Sequence, residues 1–158
     1  IGDALAGPNL ISPEMYRDFA WEPEKRLAEE VQAYGIPFSI HICGNTNGII
    51  KDMGMTGAKI LEVDWMLDMK EARQLVPADT VLMGNIDPSF PLVLGSPTDV
   101  EQAVKNLIEA TQGRRHIISS GCAMGRNTPV DNFKAFIAAT RRYGSYEKIQ
   151  RLQANEVG

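Results

Sequence analysis

Four short apolar runs with no polar alternation punctuate the chain, and each leads into a stretch whose apolar residues recur at helical spacing. Ser12-Pro13-Glu14 predicts the start of a first helix, with Ser as N-cap and Pro at the first helical position. Its apolar positions continue through Leu27 and Val31 to Tyr34, with an interruption expected near Pro23 and a stop at Gly35. Ile36 to Ile42 reads as a strand, and Cys43-Gly44-Asn45 as a loop into a short helix from about Thr46 to Met53. Ala58 to Val63 reads as the second strand, with a helix from Leu67 to Val76 whose early Asp68 suits the helix dipole. Thr80 to Gly84 is the third strand. A turn-rich stretch holding Pro88, Pro91 and Gly95 then precedes a helix from Ser96-Pro97 to about Thr111. His116 to Ser120 is the fourth strand, and the last long helix is expected from Thr128-Pro129 to Tyr143-Gly144.

A helix followed by four consecutive β-α units implies a parallel sheet covered by helices. Two architectures fit: a doubly wound open sheet, or half of an eight-stranded β/α barrel of the TIM type. The polar residues favour the barrel. His41 and Cys43 fall at the end of the first strand, Glu62 at the end of the second, Asn85 and Asp87 after the third, and Cys122 after the fourth. Active-site groups collect at this edge in both folds, but only a barrel bends its strand ends around one mouth. The 158 residues are expected to form a single domain, residues 1–158. Because the chain opens at Ile1 in mid-topology, it is expected to be a fragment of a longer protein.

Charge and composition narrow the function. A formal net charge of -4 makes no electrostatic case for nucleic acid or an anionic membrane surface. No apolar run approaches the length of a membrane span, and no signal-peptide-like stretch is present. Two cysteines do not make a secreted disulfide framework, so a cytoplasmic location is expected.

Those two cysteines and one of the two histidines carry the chemistry. His41, Cys43 and Cys122 offer one imidazole and two thiolates, a set suited to a borderline-soft ion such as zinc. If they converge, three protein ligands leave a fourth position open, as in catalytic zinc sites. Either cysteine alone reads as core packing; their places at strand ends beside Gly, with His41 two residues from Cys43, favour function. Glu62 fits a displaceable fourth ligand, an outer partner, or a carboxylate capping the mouth. Asp64 fits an acceptor for His41 or a plain loop hydrogen bond. Asn85 and Asp87 fit the pocket lining or turn chemistry. His116, next to Arg114-Arg115 at a strand start, reads as a surface residue, and Trp65 as buried packing in preference to a floor for the cavity. Met53, Met55, Met66, Met69, Met83 and Met124 read as packing too.

Several segments together carry a family resemblance: Ile11-Ser12-Pro13 with Tyr16, His41-Ile42-Cys43-Gly44-Asn45, Glu62-Val63-Asp64-Trp65, Met83-Gly84-Asn85-Ile86-Asp87-Pro88, Ser119-Ser120-Gly121-Cys122, and Thr128-Pro129 with Asn132. The chain resembles the C-terminal half of the uroporphyrinogen decarboxylase superfamily, in its branch of cobalamin-dependent, methylcobamide:coenzyme M type methyltransferases. The resemblance implies a β/α barrel of which this chain matches about the last four β-α units. It also implies that His41, Cys43 and Cys122 hold zinc. The implied reaction is methyl transfer from methylcobalamin, free or carried by a corrinoid protein, to a small thiol such as coenzyme M. Zinc coordination would deprotonate that thiol, and the cofactor would carry the alkyl chemistry. Two other functions fit the same fold: a porphyrinogen decarboxylase or other lyase without metal, and a non-catalytic half-barrel that binds a corrinoid or a partner chain. Half a barrel exposes sheet edges and an inner face, so a homo-oligomer or a partner chain completing the barrel is expected.

Overall fold

The computed structural model describes residues 1–154. Helix α1 (Pro13–Met15) passes through a widened π turn, Tyr16–Ala20, into α2 (Trp21–Ala33). Ser12 caps α1 by accepting the Met15 N–H at 3.2 Å. The interruption expected near Pro23 is this π turn, which ends three residues before it. Pro23 lacks an N–H, and its ring crowds the carbonyl four residues back. The wide turn, in which Trp21 N–H donates to Tyr16 O, opens the ladder just ahead of it.

Four strands follow: β1 (Ser39–Ile42), β2 (Ile60–Val63), β3 (Val81–Ile86) and β4 (His116–Ser120). A short 3-10 turn and α3 (Ile50–Met55) join β1 to β2; α4 (Met69–Leu75) joins β2 to β3; α5 (Pro97–Thr111) joins β3 to β4. Helices α6 (Val130–Tyr143) and α7 (Tyr146–Ala154) close the described chain; the sequence pattern did not predict α7. Asp68 caps α4 through the N–H groups of Lys70 and Glu71, and Ser96 with Asp99 forms a capping box on α5.

The sheet is parallel throughout, in the order β1-β2-β3-β4. Right-handed crossovers that always step to the next strand put every connecting helix on the same face. A doubly wound sheet would reverse its strand order at a switch point. This is therefore a partial β/α barrel, as the strand-end residues predicted.

The two faces differ accordingly. Ile40, Ile42, Leu61, Val63 and Leu82 lie buried under the helices, against Ile50, Met53 and Ala72. Along α5, Val100, Val104 and Ile108 recur every fourth residue and bury against Phe136 and Ala139 of α6. The inner face is open. His41, Glu62, Met83 and Ile117 stand in one row across it, and Ile117 is 42% exposed.

Several expectations need correction. His116 is not a surface residue: it points into the helix-covered side, with Nε2 2.8 Å from the Gly84 carbonyl and Nδ1 2.8 Å from Thr111 Oγ1. Trp65 is not buried packing but 45% exposed, because it follows β2 on the loop at the open edge. Met53 and Met69 are core residues, whereas Met55 and Met66 are exposed. No helix among the described residues is long and apolar enough to cross a membrane.

Candidate metal centre

The strands fix where the site can form. His41 and Cys43 are two residues apart at the end of β1, so both side chains project to the inner face. Cys122 arrives from β4, three strand spacings away, or about 14 Å along a flat sheet. In the structure its Sγ is 3.6 Å from Cys43 Sγ and 3.9 Å from His41 Nε2. His41 Nε2 is 3.0 Å from Cys43 Sγ. All three ligand atoms lie within 4.8 Å of one another, a group that could hold a metal ion.

Gly121 contributes to that approach. Its N–H extends the ladder by donating to Ile86 O at 2.8 Å, and the chain then turns inward over the loop after β2. A Cβ at Gly121 would collide with the Trp65 backbone nitrogen and sit 2.9 Å from Trp65 Cα. Only glycine permits this approach. In Ser119-Ser120-Gly121-Cys122 the glycine beside the cysteine is the signal in the sequence for this approach.

The imidazole is oriented by the neighbouring strand. His41 Nδ1 lies 3.1 Å from the carbonyl oxygen of Glu62. A carbonyl can only accept, so the proton sits on Nδ1 and the Nε2 lone pair faces the two sulfurs. Asp64, expected as one possible acceptor for His41, is bonded elsewhere. It is buried, and its carboxylate accepts Gly44 N–H at 2.9 Å and Met66 N–H at 3.3 Å. Asn85 is also buried, and its Nδ2 donates to the carbonyls of Asp64 and Leu67 at 3.0 and 2.7 Å. Asp87 accepts Ser89 N–H at 2.7 Å, the turn bond its motif suggested. Glu62 projects its side chain from the same face as His41, one strand over.

The thiols are free, and at 3.6 Å the sulfurs are well outside disulfide bonding distance. Burial first, then the Cys122 hydrogen bond and the negative charges of Cys122, Asp64 and Glu62, push the Cys43 thiol above its ordinary pKa. A thiol so placed ionises readily only with a cation beside it. A cavity of about 970 Å³ lies at the opposite ends of β3 and β4, between Arg73, Arg115 and α7, and no residue of the centre lines it.

Four parallel strands in chain order, covered on one side and carrying the polar side chains at the carboxyl edge, define part of an enzyme-type β/α barrel. The chain belongs to the uroporphyrinogen decarboxylase (URO-D) family, whose model matches residues 1–143. It is 31% identical over 141 residues to the "Methylcobamide:CoM methyltransferase MtbA" of Methanosarcina mazei, covering 89% of this chain and 40% of that protein. It is 33% identical over 139 residues to a uroporphyrinogen decarboxylase of Synechococcus sp., covering 87% and 38%. A solved methyltransferase from Methanosarcina mazei superposes with a TM-score of 0.82 at 29% identity, over 92% of this chain and 42% of that one. The chain thus spans about two fifths of the length of these relatives, all of which are enzymes.

Proposed function

We propose that this chain is the ligand-bearing C-terminal part of a zinc-dependent methyltransferase that moves a methyl group from a methylated corrinoid to a small thiol such as coenzyme M. The observation that carries the reading is the convergence of His41 Nε2, Cys43 Sγ and Cys122 Sγ with the imidazole held in the ligating tautomer. Tetrahedral zinc, at its usual bond lengths, separates two sulfurs by about 3.8 Å and a nitrogen from a sulfur by about 3.6 Å. The sulfur–sulfur distance of 3.6 Å lies close to the first value, and the nitrogen–sulfur distances of 3.0 and 3.9 Å fall on either side of the second.

In this reading His41, Cys43 and Cys122 would hold the ion at the carboxyl edge of the sheet. When bound, zinc supplies the charge that keeps a substrate thiol ionised at neutral pH. A methylated corrinoid would supply the methyl group to that thiolate, with the electron pair of the broken cobalt–carbon bond left on the corrinoid. Glu62, the only carboxylate in its row across the inner face, is assigned to accept the proton of the incoming thiol. Asp64 and Asn85 shape the loop beneath. The corrinoid, free or carried by a separate corrinoid protein, approaches from the open mouth. Further β/α units, from the same polypeptide or from a partner or second copy, cover the inner face.

A decarboxylase reading has support in relatives of equal similarity. Metal separates the two. On the methyltransferase reading the chain takes up one equivalent of zinc, Cys122→Ser abolishes it, and methylcobalamin is converted spectrally only with zinc and a thiol present. A chain that binds no zinc, with Cys122→Ser behaving as wild type, defeats this proposal.

A further inference from the structure

The loop after β2 touches the chain next to each cysteine. Gly44, directly after Cys43, has φ +86 and donates its N–H to Asp64 Oδ2 at 2.9 Å. Gly121, directly before Cys122, rests on the Asp64–Trp65 peptide so closely that a Cβ would lie 3.0 Å from the Asp64 carbonyl carbon. Asp64 contributes no ligand atom to the trio, yet it is the point at which two segments 79 residues apart in the chain are brought together.

The Asp64 side chain is itself fully committed. It is 5% exposed, and its two oxygens accept two backbone N–H groups, from Gly44 and Met66. An amide could satisfy only one of them and would point its NH₂ at the other. The Asp64 backbone is held as well. Its carbonyl oxygen accepts Leu67 N–H at 3.2 Å and Asn85 Nδ2 at 3.0 Å. Asn85 follows Gly84, whose carbonyl lies against His116 Nε2 at 2.8 Å. From β4 back to β1, the contacts run through hydrogen bonds, the Gly84–Asn85 peptide link and one backbone approach.

We infer that Asp64 is a positioning residue for the Cys43–Cys122 pair: its carboxylate anchors Gly44 while its peptide seats Gly121, which sets the two sulfurs at ligating separation before any ion arrives. The inference rests on the proposed metal-binding role of the trio. It differs from the usual outer-shell device, in which a carboxylate orients a ligand imidazole, because that task belongs here to the Glu62 carbonyl.

Two measurements test it. In the first, zinc affinity is read by competition with a chromophoric chelator, and cobalt(II) absorption reports ligand geometry. Asp64→Asn is expected to weaken zinc by about 10–100-fold, the range for losing an outer-shell partner, and to alter the thiolate-to-cobalt and d–d bands while circular dichroism is retained. Gly121→Ala is expected to do the same with no change of charge. In the second, the metal-free chain is treated with hydrogen peroxide, which takes two electrons and two protons from the thiols to give one disulfide and two waters. Wild type should close the Cys43–Cys122 disulfide faster than either variant. If the wild type binds no zinc but the variants still close more slowly, the metal reading fails and the positioning role stands. Wild-type zinc affinity, cobalt spectrum and closure rate in both folded variants would overturn the inference.

Discussion

The Nδ1–H of His41 is held at 3.1 Å by the backbone carbonyl of Glu62 on the adjacent strand, so the tautomer of the imidazole is set by the sheet and not by a side chain. No substitution at Glu62 removes that acceptor. Glu62→Gln should therefore leave zinc uptake intact while lowering thiol-dependent methyl transfer, whereas His41→Ala should remove a ligand outright. The expected loss of zinc affinity for His41→Ala exceeds the roughly 10–100-fold cost of an outer-shell change. Parallel zinc titrations of the two variants check this, and equal losses in both would contradict it.

Glu24 predicts a pH dependence of stability. It is 2% exposed, one oxygen accepts Tyr16 OH at 2.6 Å, and Oε1 has no partner among the described residues. Burial first, with a contribution from Asp3, raises its pKa to about 7 against the Tyr16 hydrogen bond, which lowers it. The folded state thus holds this proton more tightly than the unfolded chain. Stability from Glu24 is full below about pH 4.5, falls as pH rises towards 7 and is flat above, with at most about 3 kcal/mol at stake. Urea melts across this window should show the decline, and Glu24→Gln should flatten it. A wild-type curve that rises between those pH values would count against the buried acid.

Tyr16→Phe strips Glu24 of its one donor. The expected cost is about 1–3 kcal/mol, read as a lower urea midpoint with an unchanged slope.

Ser96 begins α5 with both halves of a capping box, Asp99 N–H to Ser96 Oγ at 3.3 Å and Ser96 N–H to Asp99 Oδ2 at 2.8 Å. Ser96→Ala should destabilise the fold by about 1 kcal/mol. Thermal melts with and without zinc should show the same shift, because Ser96 and Asp99 bond to each other and neither belongs to the trio.

The open inner face predicts association. Ile117 stands 42% exposed in the row that begins with His41. Sedimentation of the chain should show self-association that Ile117→Glu reduces; a monomer at all concentrations would exclude it.

The alternation of strands and helices was legible because each strand carries branched apolar residues and α1, α4 and α5 open on readable caps at Ser12, Asp68 and Ser96. β4 matches its predicted limits, His116–Ser120, residue for residue. That His41, Cys43 and Cys122 fall together was legible from residue type and strand-end position. What holds the trio was not. The acceptor for His41 is a backbone atom, which residue identity does not encode. Asp64 looks the same in sequence whether it bonds an imidazole or Gly44. His116 was misread because its arginine neighbours suggested solvent, while the pleat turns its ring under α5. The π turn depends on how Tyr16 and Pro23 share one helix, a matter of hydrogen-bond register and not of propensity.

The close seating of Gly121 on the Asp64–Trp65 peptide bears on portability. Writing His, Cys and Cys into a metal-free barrel of this family would supply three donors but not a site. Unless the residue before the last cysteine is also glycine, the third donor stops a side chain's width short, and the graft has two ligands and a bystander.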